Sequence, residues 1–462
     1  MTSATTIVAE RALLASGWAS NVRVEIADGC IERVATEAPD DPGARADTVA
    51  AGVLLPGLVN AHSHAFQRAL AGRTERRSPA GHDDFWTWRE PMYRLAADIN
   101  ADRLGAIAAQ LYAEMLAAGY TTVVEFHYLL GGKTREDDAD ALLAALTAAA
   151  NESGIRLVYL PVLYERADFD ADLPTEAQSR FAMPIDAFLQ HVDFAGRQLT
   201  GPHRVGLAAH SLRAVTEASL SRLVDHAKSQ HLPLHIHVAE QLREVDDCKR
   251  ATGKRPVEFL LDTFAVDSDW TLVHATHMND EETSALAASG AVACLCPSTE
   301  GNLGDGLFAL ESYLADGGRI ALGSDSHVCI DPFEELRWLE YGQRLDARRR
   351  NVSPAPGEHS GEALLLPALA GGAQAAGQPI SGIAVGTPAD LLCIDAQHPT
   401  LVGHGPASLL DALVFSRTTS AIERVMVDGR WCVEDGRHLH HVEIGSAYHS
   451  CMTALFPTGV DA

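Results

Sequence analysis

The chain has 462 residues, of which 47% are hydrophobic, so it is long enough for one large domain with a substantial core and a smaller second domain. Its formal net charge of −26 argues against nucleic acids and anionic membrane surfaces as partners, and any site for an anionic ligand would need its own arginines. The eight cysteines are scattered without a C-x-x-C pair, and no apolar run approaches the roughly 18 residues of a membrane span, so we expect a soluble, cytoplasmic protein.

Short strands are predicted at both ends of the chain. Alternating strand patterns flank an Asp-Gly hairpin turn at two places, residues 22–26 with 30–34 and residues 421–427 with 430–433. These β-rich flanks surround a long α/β middle, which predicts that residues 1–55 and 381–462 combine into one small β-sandwich domain. Two independent β caps are the alternative.

The middle of the chain, residues 56–380, alternates apolar runs with amphipathic stretches. The apolar runs are residues 53–59, 121–126, 157–162, 205–209, 234–238, 271–273, 291–295 and 320–322. Helical patterns such as 139–150, 217–229 and 280–288 lie between them, which indicates parallel strands with helical crossovers. About eight such units predict a (β/α)₈ TIM barrel. An open doubly wound sheet is the competitor, but no G-x-G-x-x-G follows the first strand.

Two histidines separated by one residue, His62 and His64, follow the first apolar run. Positions i and i+2 of an extended strand share a face, so both imidazoles can project together. Neutral imidazole is a preferred ligand of zinc and similar metals. A single His-x-His pair is a weak signal in a chain with 21 histidines, and the later polar residues strengthen it.

Three further polar residues, His237, His274 and Asp325, stand at the ends of the fifth, sixth and eighth predicted strands. Barrel enzymes keep their active sites at the carboxyl ends of the strands. Histidine nitrogens and a carboxylate oxygen from this group make a suitable shell for Zn²⁺ or Fe²⁺ with room for a water molecule. The alternative for each histidine alone is a hydrogen-bonded core residue, and this suits His235, which lies two residues deeper than His237.

Several motifs resemble the amidohydrolase superfamily, in order and over nearly the whole chain. They are residues 56–64 (PGLVNAHSH), 119–123 (GYTTV), 237–240 (HVAE), His274, 324–327 (SDSH) and 382–391 (GIAVGTPADL). The resemblance implies a metal-dependent hydrolase barrel with a β-sandwich built from both termini. Neither the third nor the fourth strand region contains the lysine that carries a second metal in many members. The resemblance is therefore to the mononuclear, deaminase-like branch.

Within that branch, four loops resemble the N-formimino-L-glutamate iminohydrolases, also called formimidoylglutamate deiminases. These loops are residues 62–68 (HSHAFQR), 85–90 (FWTWRE), 125–128 (EFHY) and 210–213 (HSLR). The resemblance implies one divalent metal ion per chain, Zn²⁺ in the first place with Fe²⁺ as the alternative, and a homodimer. It also implies roles for individual residues: metal ligation by His62, His64, His237 and Asp325, catalysis by Glu240, His274 and Asp325, and substrate contacts by Gln67, Arg89, Tyr128, His210 and Arg213.

The residues agree chemically with this function. A metal lowers the pKa of a bound water toward about 7, which would supply a nucleophile for an amidine. Arg89 and Arg213 offer paired donors for the two carboxylates of a glutamyl group, although a surface ion pair is the ordinary role of an arginine. Trp86 and Trp88 are interpreted as packing residues of the long insertion after His64. Two other functions remain open: an aminohydrolase of a heteroaromatic amine such as guanine, and a metal-free scaffold protein.

Overall fold

The computed structural model describes residues 5–36, 48–78, 81, 83–131, 138–378, 382–416 and 420–457. In chain order the strands are β1 (Thr5–Leu14), β2 (Gly17–Ala27), β3 (Cys30–Thr36), β4 (Thr48–Pro56), β5 (Leu58–Ser63), β6 (Tyr120–His127), β7 (Arg156–Leu163), β8 (Arg204–Val205), β9 (Leu207–Ser211), β10 (Leu234–Val238), β11 (Trp270–His274), β12 (Val292–Leu295), β13 (Arg319–Leu322), β14 (Leu391–Ile394), β15 (Ile422–Val427), β16 (Arg430–Glu434) and β17 (Arg437–His438). The α-helices are α1 (Phe85–Asp98), α2 (Ala101–Ala118), α3 (Ala139–Ser153), α4 (Ile185–Gln198), α5 (Glu217–Gln230), α6 (Leu242–Thr252), α7 (Pro256–Thr263), α8 (Asp280–Ser289), α9 (Pro297–Leu303), α10 (Leu310–Ala315), α11 (Pro332–Ala347), α12 (Ser360–Ala375), α13 (Pro406–Phe415) and α14 (His441–Leu455).

Strands from both ends of the chain form one sheet in the order β17-β16-β15-β14-β4-β1-β2-β3. The joint is β4, which runs parallel to β1 and antiparallel to β14. Both Asp-Gly turns have the positive φ angles of a hairpin turn, as predicted. The sheet has its own apolar core, which includes Val24, Leu54, Leu391 and Met426. One sheet from both termini is therefore correct, and the alternative of two independent β caps is wrong.

The middle of the chain forms a closed parallel barrel. Its principal strands are β5, β6, β7, β9, β10, β11, β12 and β13, and the ring closes because β13 pairs with β5. The two-residue strand β8 adds beside β7. Helices α3, α5 and α8 cover the stretches that were predicted as amphipathic helices. The (β/α)₈ barrel is thus confirmed, and the open doubly wound sheet is excluded.

The first predicted strand, residues 53–59, is divided between the two sheets. Val53 to Pro56 pair with β14 in the terminal sheet, whereas Leu58 begins the barrel strand β5. Gly57 lies at the break, where a Cβ atom would come 2.2 Å from Thr121 Oγ1, so only glycine fits without displacement. The proposed division of the chain into 1–55, 56–380 and 381–462 stays a prediction.

The insertion after His64 is mostly helical and covers the barrel mouth. A 3₁₀ helix (Ala65–Leu70) precedes α1, which Asp84 caps by accepting from the backbone N–H groups of Trp86 and Thr87. Helix α2 ends at Gly119, whose φ of +107° is accessible mainly to glycine. This arrangement places Arg89 above the carboxyl ends of the strands. Among the described residues, the helices lack the combination of length and apolar character that crossing a bilayer requires.

Candidate metal centre and substrate pocket

Five of the predicted site residues meet at the carboxyl ends of the barrel strands. His62 lies in β5, His237 in β10 and His274 at the end of β11, whereas His64 and Asp325 follow β5 and β13. Each is at most 6% exposed. The backbone N–H of Asp325 donates to the His62 carbonyl (3.0 Å), and that of His64 donates to the Asp325 carbonyl (3.3 Å). The closure of the barrel between β13 and β5 therefore holds these three residues together.

The backbone is strained where three of the site loops begin. Ala239, His274 and Asp325 have φ angles of +51°, +69° and +45°, in the left-handed region that non-glycine residues rarely occupy. Such conformations cost on the order of 1–3 kcal/mol each, and they cluster at functional sites. All three residues stand at or just after the carboxyl ends of strands, where the chain turns sharply out of the barrel. The strain is therefore concentrated in the loops that carry the predicted chemistry.

The four predicted metal ligands bring their donor atoms together. His62 Nε2 lies 3.1 Å from His64 Nε2 and 3.0 Å from His237 Nε2. Asp325 Oδ1 lies 3.5 Å from His62 Nε2 and 3.3 Å from His64 Nε2. A tetrahedral ion about 2.0 Å from each donor would separate its ligand atoms by about 3.3 Å. The spacing of the four donor atoms thus fits one coordinated cation.

The hydrogen bonds behind the imidazoles select the form that binds metals. His64 Nδ1 donates to the Phe126 carbonyl (2.8 Å), and His237 Nδ1 donates to the His210 carbonyl (2.9 Å). A carbonyl only accepts, so both Nδ1 atoms carry the hydrogen and the Nε2 lone pairs face the cluster. Burial, together with the neighbouring His64, lowers the pKa of His62 to about 3 and keeps that ring neutral. The donor set therefore fits the divalent metal that its family would require.

His274 and Glu240 lie beside this cluster, and their polar atoms face each other. His274 Nε2 is 3.6 Å from Glu240 Oε1 and 3.8 Å from Asp325 Oδ2. Burial raises the pKa of Glu240, and the carboxylates of Asp325 and Glu244 raise it further. Burial opposes charge on His274, but the carboxylates around it, Glu240 first, outweigh burial and raise its pKa. A carboxyl group and an imidazole tuned in this way can serve as proton donor and acceptor near neutral pH.

A pocket above the cluster is bordered by all five residues that were predicted to contact substrate: Gln67, Arg89, Tyr128, His210 and Arg213. They come from the 3₁₀ helix after β5, from α1, from the loop after β6, from β9 and from the loop after β9. Gln67 Nε2 donates to the Tyr128 hydroxyl (2.7 Å). The other amide atom, Gln67 Oε1, is buried without a hydrogen-bond partner in the described part of the chain.

Arg213 is a buried arginine with one unused hydrogen-bond donor. Its side chain is only 3% exposed, and its Nε–H has no hydrogen-bond partner among the residues that the structure describes. Its guanidinium lies 5.4 Å from the ring centre of Trp86, which is also 5.2 Å from the guanidinium of Arg89. Arg89 in turn donates to the Tyr93 hydroxyl. Burial opposes the charge of Arg213, but nearby carboxylates, Glu244 first, outweigh burial and raise its pKa. The buried Nε–H is therefore an unused donor of a charged group beside the pocket, which suits an acceptor on a ligand.

Sequence reasoning missed part of the pocket wall. Trp88, which was interpreted as a packing residue of the insertion, also borders the pocket, and Tyr93, Tyr164 and Phe181 do so as well. Tyr164 and Phe181 belong to the segment between β7 and α4, where no motif marks them. The one usable signal was position, because Tyr164 directly follows the carboxyl end of a barrel strand.

Comparisons with known proteins place the chain in a family. The family model "Amidohydrolase family" matches residues 53–432, and the model "Formimidoylglutamate deiminase HutF, N-terminal domain" matches residues 4–48. A formimidoylglutamate deiminase of Pseudomonas aeruginosa is 48% identical over 440 residues, which make up 94% of this chain and 95% of that protein. An 8-oxoguanine deaminase of the same organism is 29% identical over 87% of each chain.

A solved structure agrees with these sequence matches. The crystal structure of an amidohydrolase from Brucella melitensis has a TM-score of 0.92 and 40% sequence identity, and the match covers 98% of this chain and 99% of that chain. The sequence matches and the structural match both extend over nearly the full length of the chain, so they include the barrel and the terminal sheet. The chain belongs to the amidohydrolase family and is similar to its formimidoylglutamate deiminases.

Proposed function

We propose that the protein hydrolyses N-formimino-L-glutamate to N-formyl-L-glutamate and ammonia, a reaction of histidine degradation. The observation that carries this proposal is one pocket with the His/Asp cluster at its base and, in its wall, the buried guanidinium of Arg213, whose Nε–H has no acceptor among the described residues. The two ends of the substrate match these two parts of the pocket. Its formimino group needs an activated water, and its two carboxylates need cations. The similarity to the P. aeruginosa formimidoylglutamate deiminase supports the same substrate.

We infer that His62, His64, His237 and Asp325 hold one divalent metal ion, with zinc preferred and Fe²⁺ as the alternative. When bound, such an ion lowers the pKa of a water molecule and so makes hydroxide available at neutral pH. Three imidazoles and one carboxylate suit either metal, so the ligand types do not separate them. Metal analysis of the purified protein distinguishes the two.

The remaining catalytic roles follow from the positions of three proton-carrying side chains. Asp325 and His274 face the same space, so they orient the attacking water and take up its proton. The water oxygen adds to the formimino carbon, and the bond from that carbon to the terminal nitrogen then breaks. Glu240, whose pKa is raised by burial, donates a proton to this nitrogen, which leaves as ammonia.

The glutamyl part of the substrate is proposed to bind at the arginine end of the pocket. Guanidinium groups bind carboxylates through paired, permanently charged donors, which Arg89 and Arg213 supply. Gln67, Tyr128 and His210 add polar groups without a charge to the lining of the same pocket. His210 stays neutral because burial, together with Arg213 and Arg89, lowers its pKa well below the ordinary value. The pocket thus combines two fixed cations with hydrogen-bonding groups that carry no charge.

Replacing Arg213 by alanine is expected to raise KM for N-formimino-L-glutamate by about 10- to 100-fold, because a charged hydrogen bond contributes about 1.5–3 kcal/mol. Steady-state ammonia release measures the effect. Arg243→Ala is the matched control, because its guanidinium also lies against Trp86, 4.4 Å from the ring centre, but outside the pocket. Wild-type kinetics in Arg213→Ala would show that this residue does not bind the substrate.

One alternative function has support from the pocket itself. An aminohydrolase of a heteroaromatic amine would use the same cluster and would place a flat ring against aromatic walls. Trp88, Tyr128, Tyr164 and Phe181 supply such walls, and the 8-oxoguanine deaminase relative acts on a substrate of this kind. The buried Nε–H of Arg213, which has no acceptor among the described residues, and the second guanidinium of Arg89 favour a substrate that carries carboxylates over a neutral purine.

An ammonia-release assay with N-formimino-L-glutamate, guanine and 8-oxoguanine, with metal content measured alongside, tests the proposed function. We expect turnover of the first compound alone and about one metal ion per chain. Turnover of a purine without turnover of formiminoglutamate would replace our proposal by the alternative. Protein that binds no metal and releases no ammonia would favour a scaffold role.

The compartment, the oligomeric state and the partners of the enzyme are also proposals. We propose a cytoplasmic homodimer that acts on a small anionic amino-acid derivative, without nucleic acid or membrane partners. The net charge of −26 supports the absence of polyanionic partners, and the eight scattered cysteines support a reducing compartment. Sedimentation analysis at assay concentration tests the oligomeric state, and a monomeric active enzyme would contradict the homodimer.

A further inference from the structure

Glu300 is a buried carboxylate at the carboxyl end of the seventh barrel strand, for which the sequence suggested no functional residue. The strand β12 ends at Leu295, and Glu300 lies in the first turn of α9, where it is 5% exposed. Its Oε1 accepts hydrogen bonds from the backbone N–H of Cys296 (2.9 Å) and from Nδ1 of His274 (3.2 Å). Glu300, which follows the seventh strand, therefore contacts the site through its hydrogen bond with His274.

The contact between Glu300 and His274 decides which nitrogen of the imidazole can exchange a proton. A carboxylate is only an acceptor, so the Nδ1 atom of His274 must carry its hydrogen. The other nitrogen, Nε2, faces Glu240 at 3.6 Å and Asp325 at 3.8 Å. Nε2 is therefore the ring atom that gains or loses a proton, while the Nδ1–H bond to Glu300 stays in place.

We propose that Glu300 is a positioning residue that holds the ring of His274 in place and fixes the tautomer in which Nδ1 carries the hydrogen. The backbone N–H of Cys296 donates to the same oxygen of Glu300 and so fixes that oxygen in turn. Nε2 of His274 is thereby kept facing Glu240 and Asp325. This inference rests on the proposed hydrolytic function of the site, because His274 has this role only if it handles the proton of a water molecule.

A second buried carboxylate, which comes from another helix but also contacts the first turn of α9, provides a comparison. Glu335, in α11, accepts from the backbone N–H of Ser298 (2.8 Å) and from its hydroxyl (2.5 Å), so it anchors the start of α9. It is completely buried and does not border the pocket. Glu335 thus shares the burial and the helix-anchoring function of Glu300, but within the described part of the chain it makes no hydrogen bond or ion pair with His274. A purely structural role for Glu300 would make the two residues equivalent.

The test compares Glu300→Gln with Glu335→Gln on whichever substrate the wild-type enzyme hydrolyses. For Glu300→Gln we expect kcat to fall by about 10- to 100-fold, with KM within about twofold of wild type and metal content unchanged. Calorimetric affinity for the product N-formyl-L-glutamate is expected to stay at the wild-type value, since Glu300 does not border the pocket. Glu335→Gln is expected to lower Tm and to keep kcat.

Either of two results with the glutamine variants would overturn the assignment of Glu300. One is a kcat in Glu300→Gln within about twofold of wild type, and the other is an equal loss in Glu335→Gln. If Glu300→Gln does not fold, Glu300→Asp replaces it, because the shorter side chain keeps the charge and withdraws from His274. A kcat in Glu300→Asp equal to that of wild type would also overturn it. Failure of the wild-type enzyme on formiminoglutamate, with turnover of another amine, would contradict the proposed substrate and leave this comparison valid.

Discussion

Replacing Asp325 by asparagine is expected to reduce kcat by about 10³-fold or more, which is the scale of a lost general base. Asp325 combines two proposed roles, because its Oδ1 faces His62 and His64 while its Oδ2 faces His274. The amide keeps the shape of the side chain but neither the negative charge nor the ability to take up a proton. Steady-state ammonia release at saturating substrate gives kcat directly.

Metal analysis of the Asp325→Asn protein separates its two roles. If the metal remains at the wild-type stoichiometry, the loss of kcat reports the missing proton acceptor. Asp390→Asn is a suitable control, because that carboxylate binds Arg156 (3.0 Å) at the amino end of β7, away from the pocket. It is expected to lower Tm and leave kcat unchanged. An Asp325→Asn enzyme with wild-type kcat would contradict the proposed mechanism.

Replacing His274 by alanine is expected to abolish turnover, with a fall in kcat of about 10²- to 10⁴-fold. The imidazole lies within 3.8 Å of Glu240, Asp325 and Glu300, and alanine removes all three contacts. The measurement is again kcat, with product affinity measured in parallel to show that the pocket remains formed.

His235→Ala is the matched control for His274→Ala. His235 is also a fully buried imidazole in a barrel strand, but its Nε2 donates to the Ala375 carbonyl (2.8 Å), on the side of the outer helices. Its removal is expected to lower Tm, because a buried carbonyl loses its partner, and to preserve kcat. Comparable losses of kcat in both variants would mean that His274 acts through stability of the barrel rather than through chemistry.

The sequence alone determined the architecture and the candidate ligands, for a local physical reason. Strand and helix periods are visible in short windows, so the alternation of apolar runs and amphipathic stretches predicted the barrel. Parallel strands in a barrel present their carboxyl ends on one face, so polar residues that follow those runs were expected to converge. His62, His64, His237, His274 and Asp325 do converge, and their roles as ligands or catalysts remain predictions that the variants test.

Only the tertiary structure decided how side chains from different loops meet. The apolar run at residues 53–59 gives no sign that it changes sheets at Gly57, because that depends on Thr121 lying against it. Likewise, the sequence pattern marks Glu300 only as a helix residue, and its contact with His274 depends on the closed barrel. The contacts of Trp86 with Arg213 and Arg243 also depend on how distant segments pack. Hydrogen-bond partners and tautomers depend on distances of a few tenths of an ångström between distant parts of the chain, and local sequence patterns carry no information about such distances.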